Sequence, residues 1–221
     1  MQAPKRQSAW RFFLGAIAVF LIWYFFVQTR SEELSAPEKS QLLRLAREQL
    51  TAAAAGGEIL EVDEAALPER LLRIGTAFVT LTAHGELRGC MVDSFAPHEP
   101  LYRNVLRNTV LAARRDTRFS PVSAEEVDGI RIAISVLTPS EPLTFETPDD
   151  LLAKLKQGAN GVIVTLDGAA STFLPELWET FPDPEQFLSR LCEKAGLSPD
   201  RWREHPYPTI ETYDTLRFEE P

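Results

Sequence analysis

The chain has 221 residues, 44% hydrophobic and 25% charged, with a formal net charge of −9 at pH 7. That composition belongs to a globular protein and excludes bulk disorder. The acidic balance argues against nucleic acid as a partner, which needs a basic face. Two cysteines, Cys90 and Cys192, are too few for a disulfide scaffold and lack metal-ligand spacing. There is no H-x-x-x-H pair, glycine-rich phosphate loop or G-x-S-x-G turn, so the sequence names no metal and no cofactor.

Residues 1–11 carry Lys5, Arg6 and Arg11 and no acid, as in a cytoplasmic basic tail. Residues 12–27 then run without a charge. As a helix they span about 24 Å, close to a hydrocarbon core, and are predicted as a transmembrane anchor. Arg11 and Arg30 can snorkel at its ends, and Trp10, Trp23 and Tyr24 suit the interface. The residues after the run, Val27-Gln28-Thr29-Arg30, lack the small-residue site of a cleaved signal peptide. The run also lacks the polar face of a core helix. The charge bias places the N-terminus in the cytoplasm, and the rest of the chain beyond the cytoplasmic (inner) membrane, in a periplasm or its equivalent. Residues 28–35 form a linker and residues 36–221 the globular domain.

Within that domain Ser35-Ala36-Pro37-Glu38 reads as a capping box. It opens a helix whose apolar face holds Leu42, Leu45, Ala46 and Leu50, and which ends at Gly56-Gly57. Pro68 to Leu72 adds a helical turn. Thr76 to Val92 reads as a hairpin turning at His84-Gly85. Glu99 to Asp116 has helical periodicity and carries Arg103, Arg107, Arg114 and Arg115, either an anion-binding face or the solvated side of an amphipathic helix. Ser123 to Glu126 is a second capping box. Ile130 to Leu137 is a nearly continuous apolar run, as in a buried central strand. Thr147 caps a helix to about Gln157, closed by Gly158. Gly161 to Leu166 and Ala169 to Leu174 form a hairpin around Asp167-Gly168. Asp183-Pro184 opens a helix ending near Gly196, and Ile210 to Phe218 is the last strand. Hairpins with interspersed helices predict an α+β fold with a mainly antiparallel sheet and flanking helices, preceded by the transmembrane helix.

Arg88-Gly89-Cys90 lies in the second strand of the first hairpin. Alternation puts Arg88 and Cys90 on one face, and a glycine between them marks a bulge or a close approach by a ligand or another backbone. Cys90 is a nucleophile or redox thiol favoured by Arg88, a small buried hydrophobe, or one half of a disulfide with Cys192. Arg88 is an anion clamp or an ion-paired strand residue. Arg118 offers a second guanidinium fork or anchors its own loop. Glu176 is a first-turn acid favoured by the helix dipole or an acid working near the thiol. His84, His98 and His205 sit in turns or loops and supply no convincing base, so a hydrolase triad is not supported.

Leu87-Arg88-Gly89-Cys90, preceded by Phe78-Val79-Thr80, resembles the L-R-G-C-I-G signature of the AMMECR-one domain family. Asp116-Thr117-Arg118-Phe119-Ser120-Pro121 is similar to that family's D-x-R-F-P-P. Ser135-Val136-Leu137 and Ser171-Thr172-Phe173-Leu174-Pro175-Glu176 follow in the family's order. The likeness spans residues 38 to 218. Met91-Val92 replaces isoleucine-glycine and Ser120 replaces a proline. The resemblance strengthens the site at Cys90, for which Arg88, Gly89 and Arg118 are the candidate binding residues. It also implies a link to Memo-type and radical-SAM proteins, which occur with such domains in bacteria. Two functions follow: a small-molecule site, thiol-catalytic or binding an anionic ligand, or a non-catalytic protein-interaction domain held at the membrane with Cys90 structural.

Overall fold

The computed structural model describes residues 34–155 and 160–221. The expected anchor at 12–27 lies outside them, as do Gln157 and Gly158; the helix expected to run to about Gln157 ends earlier, at Lys154, where Leu155 is extended. Among the described residues no helix is long and apolar enough to cross a membrane. The chain divides into two compact units, Met1–Lys39 and Ser40–Pro221. In the first, the Ser35 backbone N–H and hydroxyl donate to Glu38 Oε2 at 2.7 and 2.6 Å, so Glu38 makes its half of the predicted capping box at the start of helix α1, Ala36–Ala54.

In the second unit α1 continues and buries Leu42, Ala46 and Leu50 completely. The strands are β1 (Ala77–Ala83), β2 (Glu86–Met91), β3 (Ile130–Leu137), β4 (Glu141–Pro142), β5 (Gly161–Leu166), β6 (Ala169–Phe173), β7 (Thr209–Tyr213) and β8 (Thr215–Glu219). The further α-helices are α2 (Glu69–Leu72), α3 (Leu101–Arg114), α4 (Pro148–Lys154), α5 (Leu177–Thr180) and α6 (Pro184–Lys194). The strands form not one sheet but two of four strands each, ordered β2-β1-β3-β8 and β4-β7-β5-β6. All their pairings are antiparallel, so the predicted α+β class with flanking helices holds.

Both hairpins turn where their sequences indicate, through residues at positive φ: His84 and Gly85 at 53° and 82°, Asp167 and Gly168 at 51° and 83°. These values suit the two-residue turns that match strand twist. The last predicted strand, Ile210 to Phe218, requires correction, because it is two strands in different sheets. Asp214 leaves the ladder between them. Its N–H donates to Thr138 Oγ1 at 2.9 Å, its carbonyl accepts from the Thr138 N–H at 2.9 Å, and its carboxylate accepts from Asn160 Nδ2 at 2.6 Å.

Each sheet has one face on helices. In the first sheet Val79, Leu81, Ile132 and Ile134 are wholly buried. Here α3 places Asn104 and Asn108 under β1, where Asn104 Oδ1 accepts from the Ala77 N–H and Asn108 Nδ2 donates to the Ala77 carbonyl, both at 2.9 Å. In the second sheet Val162, Val164 and Ile210 pack with Trp178, Phe187, Leu191, Cys192 and Trp202. The alternate residues, Thr80 and Cys90 in one sheet and Ile163, Thr172 and Tyr213 in the other, fall on the opposite faces, and these meet at a seam.

Candidate functional site

β2 is an edge strand, and its register shifts against β1: Leu81 faces Gly89 but Thr82 faces Leu87, leaving Arg88 as the extra residue of a bulge. The bulge breaks the alternation that was expected to put Arg88 and Cys90 on one face. Arg88 turns to Glu126 instead, donating through Nε and Nη2 at 2.8 and 3.2 Å, and holds the Glu126 carboxyl down at about 2. Gly89 meets the close approach that its position suggested, and the approaching group is backbone. A Cβ there would lie 2.3 Å from the Ala112 carbonyl oxygen of α3.

Cys90 stands opposite Thr80, with 3.3 Å between Sγ and Oγ1. As an edge residue it points its own N–H and C=O away from β1, where they need partners. The loop after α3 supplies them. Asp116 Oδ2 accepts from the Cys90 N–H at 2.9 Å, and Arg118 Nη2 donates to the Cys90 carbonyl at 3.3 Å. Arg118 also forks onto Asp116, with Nε to Oδ1 at 2.9 Å and Nη2 to Oδ2 at 2.7 Å. The Phe119 ring lies beneath both guanidiniums, 5.8 Å from Arg88 Cζ and 5.5 Å from Arg118 Cζ. The two sequence segments are therefore one structure. Arg118, backed by hydrogen bonds from the Cys90 and Arg118 backbone, holds the Asp116 carboxyl at about 2.

The thiol is half-buried and unpaired, and so is the fully buried Cys192. The Cys90–Cys192 disulfide weighed from the sequence is absent, since Cys192 belongs to the helix-covered core of the second sheet. Burial pushes the Cys90 pKa up, against the lowering effects of the Thr80 hydroxyl, Arg118 and Lys194. Sequence reasoning did not single out Lys194. It lies in the last turn of α6 and is an exposed residue. Its ammonium turns inward, donating to the Thr172 carbonyl at 2.8 Å and lying 5.1 Å over the Phe173 ring. The surrounding protein pushes its pKa down. Among the described residues it pairs with no carboxylate. Tyr213 completes the seam, its hydroxyl 2.8 Å from Thr172 Oγ1, and burial pushes its pKa up.

Glu176 is the residue before α5 and makes no side-chain cap bond. Its Oε1 lies 3.9 Å from Arg217, its Oε2 is buried without a partner, and its charge acts on Tyr213. None of the three histidines is among the groups acting on the thiol. Donor atoms of Asp93, His98 and Glu99 converge within 4.8 Å. Arg107 already occupies this cluster, 2.8 Å from Glu99 Oε1 and 3.7 Å from Asp93 Oδ2, so it is braced rather than open to a cation. The expected arginine face of α3 divides likewise: Arg107 binds Glu99, Arg114 donates to the Gly57 carbonyl at 2.9 Å, and Arg103 and Arg115 face solvent.

Fold and site together define an α+β domain in which a thiol sits at a braced sheet edge beside an inter-sheet seam. The AMMECR1 family model matches residues 43–218, and the chain belongs to that family. A protein of Methanothermobacter thermautotrophicus is 37% identical over 168 residues, covering 76% of this chain and 86% of its own. One from Nanoarchaeum equitans is 33% identical over 181 residues, covering 81% and 98%. The crystal structure of an uncharacterized protein, PH0010, from Pyrococcus horikoshii superposes with a TM-score of 0.78 at 30% identity, covering 85% of this chain and 93% of that one. These three sources are archaeal.

Proposed function

We propose that the domain holds a small anionic electrophile beside Cys90 and reacts with it through the thiol. What supports this is the convergence of an unpaired, half-buried thiol with two cationic side chains, Arg118 and Lys194, at one strand edge. Arg118, with a half-exposed side chain, and Lys194 attract the anionic part of the ligand. In the step itself the thiol adds across an activated C=C bond of the ligand: the sulfur bonds to the electrophilic carbon, the pair of the broken π bond moves to the neighbouring carbon, and the thiol proton ends there, while the Lys194 ammonium stabilises the charge as it develops. Burial disfavours the thiolate, so the thiol rests neutral and ionises only as the ligand reacts. Arg88 serves as a brace on Glu126 and Phe119, and Gly89 lets α3 close on the strand. Glu176 is left outside this step: its Oε1 lies 3.9 Å from Arg217 and its charge acts on Tyr213.

Iodoacetamide labelling of the full chain across pH, with Cys90→Ser and Cys192→Ser as references, tests the reading. Cys90 should label in the folded state with a midpoint above that of a free thiol, about 8.5, and Lys194→Met should move the midpoint higher. Cys192 should label only on unfolding. Resistance of Cys90 until the fold melts would sink the proposal and leave a non-catalytic interaction domain as the better account.

We propose further that residues 12–27 anchor the domain in the cytoplasmic membrane with its globular part on the outer side. The uncharged run and the basic residues before it support this. Alkaline carbonate should leave the full chain with the membrane and release a chain lacking residues 1–30. Release of both would remove the anchor.

A further inference from the structure

A cavity of about 310 Å³ lies in the seam between the two sheets, away from Cys90. Its walls are mostly apolar: Ile163 and the Tyr213 ring on the second sheet, with Phe95 and Pro97 from the loop after β2. Gly161 sets the position of that ring, since a Cβ there would lie 2.3 Å from it. The volume is at the small end of the roughly 300–1,000 Å³ usual for ligand sites.

Two polar groups in the lining distinguish this cavity from a packing gap. Thr76 is 2% exposed, and its Oγ1 is buried without a hydrogen-bond partner. An orphaned buried hydroxyl is destabilising, and a bound donor or acceptor would give it a partner. The other group is Glu211, whose carboxylate is the only formal charge in the lining among the described residues and accepts from Ser140 Oγ at 3.1 Å. With no cation in the lining, an anion would meet uncompensated charge. A cationic head would meet a counter-ion.

We propose that this cavity is a second binding site, for a small organic amine whose apolar body lies between Ile163 and Tyr213, whose ammonium pairs with Glu211 and whose polar edge reaches Thr76. It uses none of the groups assigned to the thiol chemistry, and Tyr213 is the wall it shares with that seam.

The test is isothermal titration of the full chain with 2-phenylethylamine, and with phenylacetate as the anionic counterpart. The amine should bind saturably and phenylacetate should not. Glu211→Gln should weaken amine binding about tenfold, the loss of about 1.4 kcal/mol. Ile163→Trp should abolish it by filling the space. Thr76→Val should weaken binding while leaving thermal stability equal or higher, a combination that a merely structural hydroxyl would not give. No amine binding, equal binding of phenylacetate, or unchanged affinity in Glu211→Gln and Thr76→Val each overturns the site. The last two variants decide the matter even where Ile163→Trp fails to fold.

Discussion

Asp116 shows how one side chain organises the site. A single carboxylate takes the edge N–H of Cys90, the backbone N–H of Arg118 and the Arg118 fork. With its side chain 4% exposed, solvent screens these bonds little. Its pKa falls from 3.8 to about 2, a difference worth about 2 kcal/mol of stability. Because the folded value is the lower one, that stability is fully present above about pH 4 and is lost as pH falls through about 2. Asp116→Asn should therefore lower stability at neutral pH by about 2–3 kcal/mol. Denaturant titrations between pH 5 and pH 2, values near the carboxylate range, should show a flatter acid limb in the variant. An identical acid limb would mean the carboxylate does not carry this linkage.

At the scale of elements, the joint between β2 and α3 depends on Gly89. The atom that a Cβ would strike is a helix carbonyl, not the end of a flexible side chain, so the helix itself must shift. Gly89→Ala should cost about 1–3 kcal/mol, measured as a lower denaturation midpoint with the denaturant slope unchanged. It should also slow or alter Cys90 labelling, because the displaced strand carries the thiol. The sequence announced this joint, since a glycine inside a strand has few reasons to be there. It announced the helix caps and the hairpin turns for the same kind of reason: Ser35, Thr147, Asp183, His84-Gly85 and Asp167-Gly168 act through local chemistry. Long-range features were not legible. Nothing local says that Asp214 divides one apparent strand between two sheets, because the residues on either side keep a strand-like alternation. Lys194 gave no signal beyond a basic residue in a last helical turn. The bulge at Arg88 was half visible: the glycine pointed to it, but a fixed period of two was needed to pair Arg88 with Cys90, and the bulge removes that period.

At the scale of the molecule, the second sheet is built from one continuous stretch of chain. Strands β1, β2, β3 and β8 form the first sheet and β4 to β7 the second, so the described chain passes between the sheets twice, after β3 and before β8. Thr138 and Asp214 tie these two passages together with reciprocal backbone and side-chain bonds. The sheets should therefore unfold in one transition. In a chain lacking residues 1–30, and so without Trp10 and Trp23, fluorescence from Trp178 and Trp202 of the second core and backbone circular dichroism should give coincident denaturant curves, and Thr138→Val should shift both equally. Separate midpoints would show two independent folding units. The paired passages also have a meaning for descent and for engineering. Leu137 and Thr215, the residues flanking the intervening stretch, are already cross-strand partners. The ends of residues 138–214 thus meet at a spacing that a short turn can close. Joining them there would leave the β2-β1-β3-β8 sheet whole, which makes the second sheet an insert that could enter, leave or be exchanged without rethreading its host.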